Sequence, residues 1–339
     1  MHYELKGVFM DKTYTVVIDT LGSDKGPEMI VSGACKALEQ FSNLKVCLTG
    51  DEAVISAKLK ELGADLSRVK IIHAPDCITN FDHPVMAIKQ KTNSSLVKAL
   101  EEVKNNDEVV GMVNAGSTGA LLVGSMMYLH KADLARPALA AVLPAEKGGF
   151  TCLVDTGANT DCSSDMLVQF AHLGSELMHD LYKIENPRVG LLSNGAEESK
   201  GNTLVKETHQ LLKAEKDLNF VGNLEGTNAL SGDCDVLVCD GFAGNQVLKV
   251  SEGIARRLIT DIVKLGKKTG NQQYLELAGQ LAAMYDFNSL GGGLVLGVSK
   301  LVIKAHGAAN EMSIVNTTKM LLNLAENKTV YGVDNKVEK

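Results

Sequence analysis

Short runs of apolar, mostly β-branched residues alternate along the chain with longer stretches in which apolar residues recur every three or four positions. The short runs are typical of buried strands, and the longer stretches, of roughly 12 to 20 residues, are typical of amphipathic helices. This alternation predicts an α/β fold of three layers with a mainly parallel sheet. The predicted strands are residues 15–19, 45–49, 69–73, 109–113, 139–143, 151–155, 188–192, 235–240 and 301–305.

Residues suited to helix ends indicate where several helices begin. Pro27 fits the first turn of a helix at 28–40, and Asp51 is suited to cap a helix at 52–62. Within 246–287, two helical stretches follow one another around a polar, glycine-containing turn. This segment predicts a helical hairpin that protrudes from the fold.

The pattern of strands and helices is not interrupted by a repeat, a low-complexity tract or a linker rich in proline and serine. We therefore expect a single α/β domain at 14–325 with a central cleft, whose lobes share or exchange strands. An N-terminal extension at 1–13 and a C-terminal tail at 326–339 are expected to flank it.

The composition is that of a folded protein, with 45% hydrophobic and 22% charged residues. The formal net charge of −7 excludes a general nucleic-acid-binding surface, so an acidic partner must meet a local basic patch. Seven cysteines occur without a C-x-x-C spacing, which favours a reducing cytoplasm and predicts no metal site. Because no apolar stretch approaches the ~20 residues of a membrane span, we expect a cytoplasmic protein, peripheral to the membrane at most.

Five predicted strands end in loops rich in glycine and small polar residues, and each loop precedes a helix. At the carboxyl edge of a parallel sheet, such loops and the helix N-termini behind them favour anions. The alternative is that each loop only turns the chain and caps a helix. The residues predicted to bind phosphate or substrate in these loops are Asp19, Asn114, Gly116, Ser117, Thr118, Asp155, Gly157, Asn159, Glu198, Asn202, Asp240 and Gly241.

Lys200 lies at the entry to a predicted helix, where a cation is disfavoured. An anion bound between Lys200 and the free amides would account for this choice. A solvated lysine paired with Glu197 or Glu198 is the alternative. His306 is included among the candidate substrate-binding residues, with a core or capping histidine as the other interpretation.

Several enzyme classes lose support from the motifs. The run Leu153–Ala158 contains the Asp-Thr-Gly of an aspartic protease, but the other strand end with Asp-Thr, at Asp19, lacks the glycine, and the surroundings are not all-β. No G-x-S-x-G elbow, Walker loop or G-x-G-x-x-G fingerprint occurs. A dehydrogenase is therefore disfavoured, and no cofactor is expected.

In their order along the chain, these loops resemble the bacterial phosphate acyltransferases of phospholipid synthesis, the PlsX family. The resemblance spans residue 15 to about residue 322. The first loop departs from the usual family pattern of Met-Gly-Gly-Asp-His-Ala-Pro, since it reads Leu21-Gly22-Ser23-Asp24-Lys25-Gly26-Pro27. The segments that carry the resemblance are Asn114–Leu121, Arg136–Ala140, Gly157–Asn159 through Leu167–Ala171, Glu197–Asn202, Gly222–Gly226 and Cys239–Asn245.

The resemblance implies a fold like that of isocitrate and isopropylmalate dehydrogenases, and a homodimer. It also implies that the chain makes acyl phosphate from acyl carrier protein and inorganic phosphate. Family members pass acyl phosphate to a membrane glycerol-phosphate acyltransferase, so we expect a role in phospholipid synthesis.

The expected reaction needs no catalytic triad, because phosphate is already an anion and a thiolate is a competent leaving group. We expect direct acyl transfer in a ternary complex, without a covalent acyl-enzyme. Lys200 and Asn245 are the predicted catalytic residues, since a cation and a neutral donor suit the phosphate and the oxyanion. A phosphate acetyl- or butyryltransferase that uses coenzyme A, and a non-catalytic scaffold that binds the carrier, remain as alternatives.

The predicted hairpin is the candidate contact for macromolecular partners. Acyl carrier proteins are acidic, so a basic surface at Arg256, Arg257, Lys264, Lys267 and Lys268 is predicted to dock the carrier. Peripheral membrane contact is predicted through residues 254–287. There, Leu275, Leu277, Ala278, Leu281 and Met284 are expected to share one apolar side, which alternatively packs on a partner subunit.

Overall fold

The computed structural model describes residues 12–130, 136–146, 149–285 and 292–327. Most of the expected N-terminal extension and C-terminal tail, and residues 286–287 of the predicted hairpin, lie outside these ranges. The strands are β1 Tyr14–Asp19, β2 Leu44–Gly50, β3 Val69–His73, β4 Val109–Asn114, β5 Ala138–Ala145, β6 Gly149–Val154, β7 Arg188–Leu192, β8 Asn219–Leu224, β9 Val236–Val238, β10 Gly293–Leu296 and β11 Leu301–Lys304.

Helices connect most of these strands, and side-chain caps begin several of them. Asp51 accepts hydrogen bonds from two backbone N–H groups at the start of α2, as its position in the sequence predicts. The helices are α1 Pro27–Gln40, α2 Glu52–Glu61, α3 Pro84–Gln90, α4 Ser95–Asn105, α5 Thr118–Leu129, α6 Ser164–Tyr182, α7 Thr203–Ala214, α8 Gly241–Thr269, α9 Gln272–Met284 and α10 Glu311–Glu326.

The chain divides into two compact units that are interleaved in sequence. The first unit comprises residues 1–137, 180–183 and 291–339, and the second comprises 138–179 and 184–290. The chain therefore passes between the units several times.

The first unit contains a sheet in the order β3-β2-β1-β4-β11-β10. Its pairs are parallel except for β10 with β11. The central strand β1 is buried on both faces, and Val16, Val17 and Ile18 have no exposed surface. Such continuous apolar strands are expected where helices cover both faces of a parallel sheet.

In the second unit the strand order is β5-β6-β9-β7-β8. The pair β5 and β6 is antiparallel, and the other pairs are parallel. Leu143, Leu153 and Leu237 form a buried cluster in this unit, against which Leu248 of α8 packs. The same helix packs along α9, so the predicted helical hairpin is present in the described residues.

The prediction of an α/β fold with a mainly parallel sheet is confirmed. The strand predicted at 235–240 is shorter than expected, because Asp240 caps α8. Strands β8 and β10 were not predicted. Among the described helices, none combines the length and the apolar character that crossing a membrane requires.

Candidate active site

Three buried polar side chains lie side by side at the carboxyl edge of the first unit's sheet. Strands β1, β4 and β11 are parallel neighbours, and their last residues Asp19, Asn114 and Lys304 are in register. Asn114 Nδ2 donates to Asp19 Oδ2 over 2.8 Å. The N–H of Leu21 donates to Asp19 Oδ1 over 3.1 Å. The register therefore brings together Asp19 and Asn114, two of the predicted site residues, through a direct hydrogen bond.

Burial gives this cluster unusual electrostatics. Desolvation raises the pKa of Asp19 to about 6, although hydrogen bonds from Ser95, Leu21 and Asn114 and the charge of Lys304 act in the opposite direction. Lys304 was missed in the sequence analysis. The sequence feature that could have indicated it is the single lysine inside the apolar run 301–305. A cation buried in such a run requires polar partners, and these would mark a site.

The loops that follow β1 and β4 are in close contact. Gly22 has a φ of +84°, and a Cβ there would lie 2.9 Å from the Cα of Gly116. Asn114 Oδ1 accepts a hydrogen bond from the Gly116 N–H over 3.0 Å. Ser117 caps α5, which begins at Thr118. The predicted residues of this loop therefore lie together at a helix N-terminus.

In the second unit, the carboxylate of Asp155 organises the loop after β6. Its Oδ1 accepts hydrogen bonds from the N–H groups of Leu139, Gly157 and Ala158 at 3.1, 3.0 and 2.9 Å. Its Oδ2 accepts from the backbone and the side chain of Asn159 at 2.7 and 3.0 Å. This carboxylate is saturated by its own surroundings, so it shapes the loop.

A loop was predicted after the strand that ends near Asp240, but the chain is already helical from Gly241, so that prediction was wrong. Asp240 caps α8, which begins at Gly241. A Cβ on Gly241 would overlap the backbone of Asn159, and one on Gly244 would overlap the carbonyl of Asp155. The glycines allow the helix to approach the neighbouring loop closely, and they do not form a turn.

Asn245 therefore projects from the first turns of α8. A Cβ on Gly157 would lie 3.7 Å from the Cβ of Asn245, so its side chain is next to the loop that Asp155 organises. Gly157 has a φ of +130°, which favours glycine. Within the described ranges, the side-chain amide of Asn245 has no hydrogen-bond partner.

The loop that contains Lys200 is held together by two asparagine side chains. Asn194 Oδ1 accepts from the Gly201 N–H over 2.9 Å, and Asn202 Oδ1 accepts from the Val205 N–H over 2.9 Å as the cap of α7. Both amide oxygens are occupied, so each side chain offers its NH₂ group. Lys200 is exposed, as the solvated-lysine alternative expects, but in the described part of the chain no carboxylate pairs with its ammonium.

Glu198 points along α7. Its carboxylate accepts hydrogen bonds from Gln210 and Lys213 at 2.7 and 2.9 Å, and these hydrogen bonds lower its pKa. Although Glu198 was predicted to bind substrate, both its oxygens are bonded within the protein.

Two buried side chains tie the Lys200 loop to the sheet. His209 Nδ1 and Asn223 Oδ1 are 2.8 Å apart, and Asn223 Nδ2 donates to the carbonyl of Glu197 over 2.9 Å. His209 is 6% exposed and Asn223 is 3% exposed, so this connection is shielded from water. We call these two residues the His209–Asn223 relay. This role was not predicted, and the sequence feature that could have indicated it is the asparagine in the short segment Gly222–Gly226.

A pocket of about 520 Å³ lies next to this loop, at the carboxyl ends of β7 and β9. Residues of the Lys200 loop and of the start of α8 line this pocket. The predicted residues Asn202 and Asp240 therefore lie in the wall of one cavity. Its lining is Leu167, Leu191, Leu192, Ser193, Asn194, Gly201, Asn202, Leu204, Val205, Cys239, Asp240, Ala243 and Val247.

The cysteine in this pocket is a poor nucleophile. Burial raises the pKa of the Cys239 thiol well above its usual range, and the thiol donates to the carbonyl of Asp155 over 3.5 Å. Since the thiolate is the reactive form, Cys239 acts as an apolar wall. Among the described residues, no three His, Cys, Asp or Glu side chains are positioned to hold a metal ion.

His306 lies in the first unit, in the turn after β11. It is exposed, and its Nδ1 accepts a hydrogen bond from the Ala308 N–H over 3.1 Å. This contact is the one expected of a capping histidine.

The basic residues predicted to dock the carrier are exposed along α8. Two of them are partly neutralised, since Asp261 lies 2.6 Å from Arg257 and 3.9 Å from Lys264. In the described ranges, Arg256, Lys267 and Lys268 have no ion pair.

The predicted apolar side of α9 is partly buried and partly exposed. Ala278 is 2% exposed, and Leu275 packs against Gly266 of α8. Leu277 and Met284 are 43% and 56% exposed. The part of this side next to α8 is therefore covered within the chain, and the rest remains available to a partner.

The fatty acid synthesis protein family matches residues 14–330. A phosphate acyltransferase of Clostridium novyi is 37% identical over 95% of this chain and 98% of its own length. A phosphate acyltransferase of Caldanaerobacter subterraneus is 40% identical over 95% of this chain and 97% of its own length.

Solved structures with little sequence identity share the fold. A phosphotransacetylase of Streptococcus pyogenes has a TM-score of 0.65 and 16% identity, with coverage of 93% of this chain and 95% of that chain. A branched-chain phosphotransacylase of Enterococcus faecalis has a TM-score of 0.58 and 16% identity, covering 92% and 98%. From the family match and the identity to curated relatives over nearly the whole length, the chain belongs to the fatty acid synthesis protein family and is an enzyme of the phosphate acyltransferase class.

Proposed function

We propose that this protein transfers a fatty acyl group from acyl carrier protein to inorganic phosphate, giving acyl phosphate for phospholipid synthesis. One observation carries the proposal. Lys200 has no ion pair among the described residues, and it lies two residues before Asn202, the N-cap of α7, in a loop where the amide oxygens of Asn194 and Asn202 are occupied and their NH₂ groups remain as donors. A cation, neutral donors and a helix N-terminus together form a site for a tetrahedral anion.

The reaction follows from the charges of its components. A phosphate oxygen attacks the thioester carbon, the new C–O bond forms, and the C–S bond breaks to release the carrier thiolate, which takes up a proton from water. Lys200 offsets the repulsion between the phosphate and the thioester oxygen. Asn245 donates to the oxygen on which negative charge develops. Phosphate attacks directly, and the unreactive Cys239 supports a route without an acyl-enzyme.

The partners follow from the surface of α8. Arg256, Lys267 and Lys268 are free to attract an acidic carrier toward a protein whose net charge is −7. A second copy of the chain is proposed to cover the exposed apolar residues of α8, such as Ile254 and Leu258 at 56% and 58% exposure. Peripheral membrane contact is proposed through Leu277 and Met284 of α9.

The test combines purified protein, phosphate and acyl donors, and it traps acyl phosphate with hydroxylamine. Fatty acyl carrier proteins are expected to give product, at a rate above that of the matching acyl-CoA thioesters. Turnover of acetyl- or butyryl-CoA alone would instead identify a short-chain phosphotransacylase. Binding of the carrier without any acyl phosphate would identify a scaffold.

A further inference from the structure

The pocket next to the Lys200 loop has two kinds of wall. Ser193, Asn194 and Asn202 contribute polar atoms, and Leu167, Leu204 and Val247 are among its apolar residues. A ligand that fits both walls has a polar reacting end and an apolar tail. We propose that this pocket binds the acyl chain of the donor with the thioester at the polar wall, and that its size selects the chain length. This inference rests on the proposed function.

The polar wall of the pocket offers hydrogen-bond donors. Asn194 and Asn202 line the pocket, and their amide oxygens already accept hydrogen bonds from the N–H groups of Gly201 and Val205. Their NH₂ groups therefore remain as donors, and the thioester carbonyl is an acceptor that suits such donors.

The position of the pocket connects it to the proposed phosphate site. Gly201 and Asn202 line the pocket and directly follow Lys200 in the chain. Ala243 and Val247 of α8 add apolar lining to the polar residues that the loops contribute. A chain bound here would hold its thioester next to Lys200.

The dimensions are those of a lipid tail. The volume of about 520 Å³ lies within the range of ~300–1,000 Å³ that is usual for small-molecule sites. A methylene group occupies about as much space as a water molecule, roughly 30 Å³, so the pocket has room for on the order of 15 such groups. Each methylene removed from water should raise kcat/KM by about fourfold until the pocket is full.

The experiment compares hexadecanoyl- and butanoyl-acyl carrier protein as donors to phosphate, in the wild type and two variants. Val247→Phe fills the pocket, and Val221→Phe makes the same change on β8, where Val221 is 42% exposed and outside the lining. We expect Val247→Phe to lower the ratio of hexadecanoyl to butanoyl kcat/KM by about tenfold or more. Val221→Phe should leave this ratio within about twofold of the wild type.

The ratio is insensitive to partial unfolding, because inactive molecules lower both rates equally. If Val247→Phe does not fold, Ala243→Leu fills the same pocket with a strong helix former and should shift the ratio in the same direction. An equal loss with both donors would assign the pocket to the carrier's prosthetic arm, and it would overturn the inference. A wild type that forms no acyl phosphate from any donor would instead overturn the proposed function.

Discussion

At the scale of single residues, the candidate site combines side chains that are fully hydrogen-bonded within the protein with side chains that have no partner among the described residues. The carboxylates of Asp155 and Glu198 are occupied by hydrogen bonds within the protein. Lys200 and Asn245 have no such partners in the described part of the chain. Groups that folding leaves unpaired are the ones available to a substrate, whereas saturated groups hold the loops in place.

Replacing the unpaired groups tests this distinction. Lys200→Ala and Asn245→Ala should each lower kcat/KM by roughly 10²-fold or more, the scale of a lost electrostatic donor, while the thermal unfolding midpoint stays close to that of the wild type. Lys200→Arg should restore little, because a planar fork does not reproduce a compact ammonium. Steady-state kinetics with both substrates measure the effect. Retention of more than about half of the activity in both alanine variants would reject these roles.

Asp19 predicts a pH dependence of stability. Its pKa is raised to about 6 by burial, so its stabilising contribution is full below the unfolded value near pH ~4 and is lost as the pH rises through ~6. Relative to Asp19→Asn, the wild type should lose on the order of 3 kcal/mol of unfolding free energy between about pH 4 and pH 7. Denaturant titrations of both proteins measure this difference. Parallel stability curves would contradict the prediction.

At the scale of elements, the sequence predicts those helices and strands that have a clear hydrophobic periodicity and recognisable capping residues. The strands at 69–73 and 188–192 have the predicted bounds. Strand β8, with the sequence NFVGNL, was missed because its glycine and asparagines lower its strand propensity, and pairing with β7 overcomes this. The start of α8 was misread because glycines that permit close packing look like turn residues. A pocket assembled from separate segments leaves no local pattern to detect.

The His209–Asn223 relay predicts that a mutation in it changes KM for phosphate more than KM for the acyl donor. Asn223→Ala removes the donor to the Glu197 carbonyl and frees the Lys200 loop, so KM for phosphate should rise about fivefold or more, while KM for the acyl donor changes less than about twofold. The matched control is Asn219→Ala on the same strand, where the side chain donates to the carbonyl of Asn186. Equal changes in both KM values would assign the relay a purely structural role.

At the scale of the whole molecule, an acidic protein that binds the proposed acidic carrier must attract it through a local basic surface. The net charge is −7, and the unpaired cations of α8 are Arg256, Lys267 and Lys268 in the described ranges. Asp261 neutralises part of the remaining basic surface. The attraction therefore depends on few side chains, and it should be sensitive to salt.

Charge reversal tests this surface. Arg256→Glu with Lys268→Glu should raise KM for the acyl carrier by about tenfold at low salt, while KM for phosphate stays constant, and the effect should shrink as salt is added. Lys45→Glu with Lys60→Glu changes the net charge equally at exposed positions of β2 and α2. Equal effects of the two double variants would show that net charge matters and the α8 surface does not.

The interleaving of the two units has a consequence for the order in which the chain can fold. Strand β4 ends at Asn114, and its neighbour β11 begins only at Leu301. During synthesis, one edge of β4 therefore remains unpaired until β11 has been made. Residues 184–290 of the second unit are synthesised in this interval and can fold first. Unpaired edges invite association with other chains, and distant pairings form slowly. A nascent chain that stops before β11 should therefore aggregate through β4, and the last strands and helix act as the closing step of the first unit.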